Sequence, residues 1–225
     1  MLQFIAKISF LHKMYSYIVK IIPIFFLHNN AKYLTIKKIL YNLNLDKIEG
    51  DIIEFGVFTG SSFRHIINIE KKYRKDTRYF GLDSFEGFPE SDHPFFVKNQ
   101  YVANYKKVKK IENIIPNKIE IFKGFFSEIL EKNEKLKKSN FKFVHLDCDL
   151  YISAIDPIEF ISNKLVVGAY IMIDDFTNID SNNLSIRNAF YKFFKESDVE
   201  KVGFFGIDGV VFRYMPKNLQ WINSR

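Results

Sequence analysis

A chain of 225 residues accommodates one full α/β domain with an N-terminal appendage and is cramped for two. Its 47% hydrophobic residues are ample for a core, and its only cysteine, Cys148, excludes an intrachain disulfide framework and points to a reducing cytoplasm. The net charge of +7 lies largely in Lys106, Lys107, Lys109 and Lys110 and in Lys132, Lys135, Lys137 and Lys138, with no basic-aromatic motif for nucleic acid.

Interspersed glutamates make those lysines read as solvated helix faces; attraction to a phosphorylated or nucleotide-linked substrate, or to an anionic membrane surface, is the alternative. At the start of the chain, Phe4, Ile8, Leu11, Tyr15, Ile18 and Ile22 follow helical spacing, with Ser9, Lys13, Ser16 and Lys20 opposite. The spacing predicts an amphipathic helix ending near Pro23. Lys7, Lys13 and Lys20 interrupt it, so no apolar stretch reaches the ~20 residues of a membrane span. The usual small-residue cleavage site of a signal peptide is missing. The helix therefore packs on the domain or on a second subunit of a homo-oligomer, or else makes peripheral contact with the inner membrane surface, helped by Phe25 and Phe26.

After Asn29-Asn30 a second helix is predicted over 31–43. From Gly50 the pattern alternates: strand 51–56, helix 61–73, strand 78–83, then a loop with Gly87, Pro89 and Pro94 leading to a lysine-rich helical stretch up to about residue 115. Strand 118–123, helix 126–137, strand 141–147, helix 152–162 and strand 167–174 follow. Apolar strands separated by helices predict a Rossmann-like, mostly parallel sheet covered on both faces. Helix 185–195 then leads to strands 199–204 and 210–214, joined by Gly206-Ile207-Asp208-Gly209; this hairpin makes the last strand antiparallel. Residues 1–47 read as a helical segment, serving as lid, dimer contact or membrane contact, and 48–225 as the domain.

Three motifs carry chemistry. Glu54-Phe55-Gly56-Val57-Phe58-Thr59-Gly60-Ser61-Ser62 joins the first strand to its helix. Gly56 permits a turn with positive φ, Gly60 permits close approach of a ligand, and Ser61 or Ser62 can cap a helix whose amides favour an anion. The spacing G-x-x-x-G is not the dinucleotide fingerprint, which weakens an oxidoreductase reading. Asp83, ending the second strand, stands where nucleoside-binding sheets hold ribose hydroxyls. Asp147, Asp174 and Asp175 end the fourth and fifth strands, which are neighbours at one sheet edge, and so can converge on one Mg²⁺. Asp149 reads as a cap for the following helix, and His145, sharing Asp147's side of its strand, as a core histidine.

Together these segments resemble class I S-adenosylmethionine-dependent methyltransferases, and more narrowly the macrocin/mycinamicin-type sugar O-methyltransferases. The resemblance rests on Glu54 to Gly60, on D-S-F-E-G-F-P from Asp83 to Pro89, on D-C-D-L-Y from Asp147 to Tyr151, and on Asp174-Asp175-Phe176. A looser match is the segment from Gly124 to Leu130. Two departures are Gly168-Ala169 in place of Gly-Gly and Phe58 in place of tryptophan, and the first 30 residues have no counterpart. The resemblance implies that S-adenosyl-L-methionine lies on Glu54, Phe55, Gly56, Val57, Gly60, Ser61, Ser62, Asp83, Ser84, Gly124 and Phe125. It implies Mg²⁺ on Asp147, Asp174 and Asp175, with Asp147 also receiving the acceptor's proton. The expected activity is methylation of a hydroxyl on a sugar or glycoside. The competing readings are a catechol- or phenol-type O-methyltransferase and a non-catalytic interaction protein on the same fold.

Overall fold

The computed structural model describes residues 9–90, 93–94 and 96–217, without the side chains of residues 9–12 and Phe25. Two helices, α1 (Ser9–Ile21) and α2 (Ile24–Leu45), precede β1 (Asp51–Phe55), α3 (Ser61–Glu70) and β2 (Tyr79–Asp83). Then come α4 (Tyr105–Lys109), a 3₁₀ turn (Lys110–Ile114), β3 (Ile119–Lys123), α5 (Phe126–Lys132), α6 (Glu134–Lys137) and β4 (Phe141–Leu146). The chain continues through α7 (Tyr151–Ser162), β5 (Leu165–Ile173), α8 (Ile186–Phe193), β6 (Val199–Phe205) and β7 (Gly209–Tyr214). The seven strands lie in the order β3-β2-β1-β4-β5-β7-β6, with β7 antiparallel to both neighbours and the remaining pairs parallel.

Alternation along the strands splits the core in two. Ile53, Phe55, Phe80, Leu82, Val144 and Ile171 face α5, α7 and α8. Ile52, Tyr79, Phe143 and Met172 face α2, α3 and the 3₁₀ turn, where Ile36, Leu40, Leu43, Phe63, Ile66 and Ile111 meet them. Each such side chain contributes about 1.5–3 kcal/mol on burial. Since both faces are covered, β1 is buried at every position, and its apolar residues Ile52, Ile53 and Phe55 do not alternate with exposed polar ones.

Three local expectations change. The second helix starts at Ile24, directly after Pro23, and runs through Asn29-Asn30. Pro23 suits the start of a helix, and packing of the downstream Ile36, Ile39 and Leu40 outweighs the weak helix preference of two asparagines. Helix 126–137 is broken at Asn133, whose side chain accepts the N–H groups of Lys135 and Leu136 at 3.0 and 3.2 Å and starts a new turn. The lysine-rich stretch is one α-turn followed by 3₁₀, with Lys106, Lys107 and Lys110 exposed.

Among the described side chains of the first helix, Tyr15, Tyr17, Ile18 and Ile21 are exposed. Phe4 and Ile8, counted in its apolar stripe, lie outside the described residues. No described helix is long and apolar enough to cross a membrane.

Candidate active site

The carboxyl ends of β1, β2, β4 and β5 open into a cavity of about 820 Å³. Strand register carries the site residues to one edge. Leu146 pairs with Ile173, and the ladder continues through Asp147 N–H to Phe55 O and Asp174 N–H to Leu146 O, each 2.9 Å. Asp147 and Asp174 thus sit side by side without any loop having to be folded over.

Gly56 makes the first turn possible. Its φ is +88°, and a Cβ there would lie 1.8 Å from the carbonyl oxygen of Asp147. Asp83 ties that turn to β2: its Oδ2 accepts Phe58 N–H at 2.7 Å and its Oδ1 accepts Phe85 N–H at 2.6 Å. Burial pushes the Asp83 pKa up despite these amides. Ser84 closes the next turn by donating to Gly87 O at 2.9 Å.

Gly56, Phe58, Asp83, Ser84, Gly124, Phe125, Asp147, Asp174 and Asp175 all line the cavity. Glu54, Phe55 and Val57 are buried, and Ser62 Oγ donates to Glu54 at 2.7 Å. Gly60 caps α3 in the left-handed region, and its α-carbon faces Ile111, where a Cβ would come within 2.3 Å of the side chain. The positive φ of +81° is what favours glycine there, since the Ile111 methyl is the mobile end of a side chain. Ser61 is exposed and bonded to Thr59 at 3.2 Å, and neither serine caps α3 through its side chain. His145 is fully buried with Nδ1 3.5 Å from Glu54 Oε2. Burial raises the pKa of Glu54; it would lower that of His145, but the Glu54 carboxylate reverses this.

The carboxylates divide into two groups. Asp147, Asp149 and Asp175 each offer an oxygen within 4.8 Å of the others. Asp149 and Asp175 have left-handed backbones, φ 59° and 50°, a strained conformation for non-glycine residues. Burial, the Asp175 hydrogen bond and the Asp147 charge push Asp149 well above the usual carboxylate range. Burial and the charges of Asp174, Asp208 and Asp147 lift Asp175 to about 6, against the hydrogen bond with Asp149. Asp149 is not a cap: Leu150 occupies the N-cap of α7, with no side-chain bond.

Asp174 belongs to the second group. Its Oδ2 lies 2.6 Å from Lys32 Nζ and 3.1 Å from His28 Nε2, and Lys32 Nζ also donates to Asp147 Oδ2 at 2.9 Å. Burial would raise Asp174; the His28 hydrogen bond and the Lys32 charge overcome it and hold the carboxylate well below its usual range. Burial opposes the Lys32 charge, but Asp147 and Asp174 lift its pKa above that of an ordinary lysine. His28 Nδ1 accepts Ile207 N–H at 3.1 Å, which fits a neutral ring donating from Nε2; the hydrogen bond with Asp174 pulls the ring's pKa upward. The three carboxylates expected to share one ion are therefore not gathered as a set, because Asp174 faces two side chains of α2.

Phe58, Phe88, Tyr101 and Phe125 supply aromatic surface on the other side of the cavity. Tyr101 stands edge-on to Phe58 and Phe88, with centroids 5.5 and 5.3 Å away. Sequence reasoning missed His28 and Lys32. The available signal was spacing, since 28, 32, 36 and 40 form one stripe of an α-helix, continuous with the buried Ile36 and Leu40.

The sequence matches the family described as Macrocin-O-methyltransferase (TylF) over residues 29–213. No curated protein sequence gives a significant match. Among solved structures, the O-methyltransferase NovP aligns with a TM-score of 0.65 at 18% identity, covering 82% of this chain and 80% of its own. The calicheamicin methyltransferase CalS11 aligns at 0.68 and 17% identity, covering 83% and 79%. A ligand-free structure of CalS11, described as a TDP-rhamnose 3′-O-methyltransferase, gives 0.61 and 19%, covering 83% and 80%. TomG from Streptomyces achromogenes, an O-methyltransferase of tomaymycin synthesis in complex with SAM, aligns at 0.57 and 15%, covering 81% and 79%. At these identities the likenesses show the fold.

Proposed function

The chain belongs to the TylF macrocin-O-methyltransferase family and is an O-methyltransferase, and from that premise we propose that it moves the methyl group of S-adenosyl-L-methionine to a hydroxyl of a sugar or glycoside. The observation that carries this reading is the joining of two unlike regions in one cavity. One is an aromatic wall ending at Asp83, suited to a nucleoside; the other is a charged floor of Asp147, Asp174 and Lys32, suited to a hydroxyl. The described CalS11 activity on a TDP-linked sugar supports the acceptor class, and the SAM complex of TomG supports the cofactor.

Bound S-adenosylmethionine supplies a methyl already activated on a sulfonium. The protein's tasks are to align the acceptor oxygen with it and to take up the proton that the oxygen loses. The Gly56 turn and the Asp83 carboxylate hold the nucleoside end. Ser84 and Gly124 shape the adjacent loops, with Gly124 N–H bonded to Asp83 O at 3.0 Å. Asp147 lines the cavity beside Lys32 and receives the hydroxyl proton. Phe58 and Phe125, both partly exposed, offer faces for stacking.

The expected Mg²⁺ set of Asp147, Asp174 and Asp175 does not fit, since Asp174 is engaged by Lys32 and His28. Convergence of Asp147, Asp149 and Asp175 favours a second reading, in which those three would hold Mg²⁺, whose Lewis acidity would polarise the acceptor hydroxyl. In this proposal residues 48–225 bind the cofactor, while the segment 1–47 closes the acceptor side through His28 and Lys32. The exposed face of α1 supports a contact with a second copy or a membrane surface, and the unpaired, buried Cys148 fits a cytoplasmic setting.

Calorimetric titration with S-adenosylhomocysteine, with NAD as the control ligand, tests the cofactor. Selective binding of the homocysteine nucleoside is expected. A folded protein that binds neither, or prefers NAD, overturns the proposal.

A further inference from the structure

Lys32 is 8% exposed, and its ammonium touches the same Oδ2 atoms, one on Asp147 and one on Asp174, that a bridging cation would use. Its position is fixed from behind. One turn earlier on α2, His28 donates to Asp174 and accepts Ile207 N–H from the β6–β7 turn. Gly206 lies so close that a Cβ there would meet His28 Nδ1 at 2.2 Å. Packing of Ile36, Leu40 and Leu43 holds the rest of the helix. The long lysine side chain is thus ordered by the fold before any ligand arrives. A divalent ion on the same two oxygens would have to displace a buried, doubly paired ammonium, or sit against it at contact distance.

We propose that Lys32 is the resident cation of this active site: delivered by the N-terminal helix, its ammonium bridges Asp147 and Asp174 in place of a divalent ion. Lys32 is then the positioning residue for the carboxylate that faces the acceptor. This role rests on the O-methyl transfer reading, whereas the occupancy of the Asp147–Asp174 pair stands independently.

The test uses Mn²⁺ as probe, with the full-length protein, its affinity read by electron paramagnetic resonance. Lys32→Met should bind Mn²⁺ at least about tenfold more tightly than the natural protein, because two adjacent carboxylates lose their cation. Lys32→Arg should show no such gain. Asp174→Asn in the natural background should leave Mn²⁺ affinity within about twofold, since Asp174 is no metal ligand there. The proposal is overturned if Lys32→Met binds Mn²⁺ no better than the natural protein, or if Asp174→Asn weakens binding tenfold. Should Lys32→Met fail to fold, the Asp174→Asn comparison decides alone. S-adenosylhomocysteine binding, measured on the same samples, separates the two claims: its absence refutes the methyl-transfer reading and leaves the Mn²⁺ comparison intact.

Discussion

Gly56→Ala is the sharpest perturbation of the architecture that assembles the site. The added Cβ would stand 1.8 Å from the Asp147 carbonyl oxygen and 2.7 Å from its carbonyl carbon, where real Cβ atoms do not come within 3.0 Å. Backbone on both sides leaves nothing flexible to yield, so β1 and β4 must part by roughly 1 Å or more at their carboxyl ends. Two hydrogen bonds anchor that spot, Gly56 N–H to Leu82 O and Asp147 N–H to Phe55 O, both 2.9 Å. Losing them costs about 1 kcal/mol each, and a non-glycine residue at φ +88° adds about 1–2 kcal/mol. The expected loss of stability is about 3–4 kcal/mol in urea unfolding. A shift of about 1 Å between the nucleoside turn and Asp147 should also weaken S-adenosylhomocysteine binding about 100-fold by calorimetry. Gly203→Ala is the control, since nothing lies within 4 Å of its Cβ position, and its effect should stay within about 0.5 kcal/mol. A Gly56→Ala protein with the natural midpoint and affinity would refute the close-approach argument.

Other substitutions probe separate parts of the account. Asp83→Ala removes the acceptor of two loop amides and should destabilise by about 3 kcal/mol and abolish measurable S-adenosylhomocysteine binding; Asp83→Asn, which keeps one acceptor oxygen, should fall between. Unchanged affinity in the alanine variant would remove Asp83 from the nucleoside site. Lys142 is buried on Glu70 at 2.6 Å and Thr77 at 2.8 Å, so Lys142→Met should cost about 3–5 kcal/mol. Adding Glu70→Leu should recover most of it, and no recovery would mean that packing rather than stranded charge dominates. The Asp175 pKa of about 6 exceeds its unfolded value near 3.8, so the carboxyl binds its proton more tightly when folded. Its contribution is fully present below pH ~4 and is lost as pH rises through ~6, a decline of about 3 kcal/mol. Asp175→Asn should flatten that part of the melting profile, and an identical slope in both proteins would contradict the assigned environment.

Much of this was legible in the sequence for a physical reason. A parallel sheet covered on both faces favours largely apolar strands, so Asp83, Asp147 and Asp174 stand out as the points where strands reach the carboxyl edge. Lys32 was hidden because a lysine in an otherwise polar helix turn looks solvated, and only its register with Ile36 and Leu40 betrays it. The pairing of Asp149 with Asp175, rather than Asp174 with Asp175, depends on two left-handed backbone conformations that no side-chain pattern encodes. Gly60 shows the limit of motif reading: glycine is favoured there by its backbone φ of +81° at the start of α3.

The most direct measurement is transfer of labelled methyl from S-adenosylmethionine to a panel of TDP-linked deoxysugars and glycosides, with catechols alongside, analysed by mass spectrometry. The account predicts an O-methyl group on a sugar hydroxyl, formed with stoichiometric S-adenosylhomocysteine and lost in Asp147→Asn. Label appearing only on the catechol, or undiminished transfer by Asp147→Asn, would contradict it.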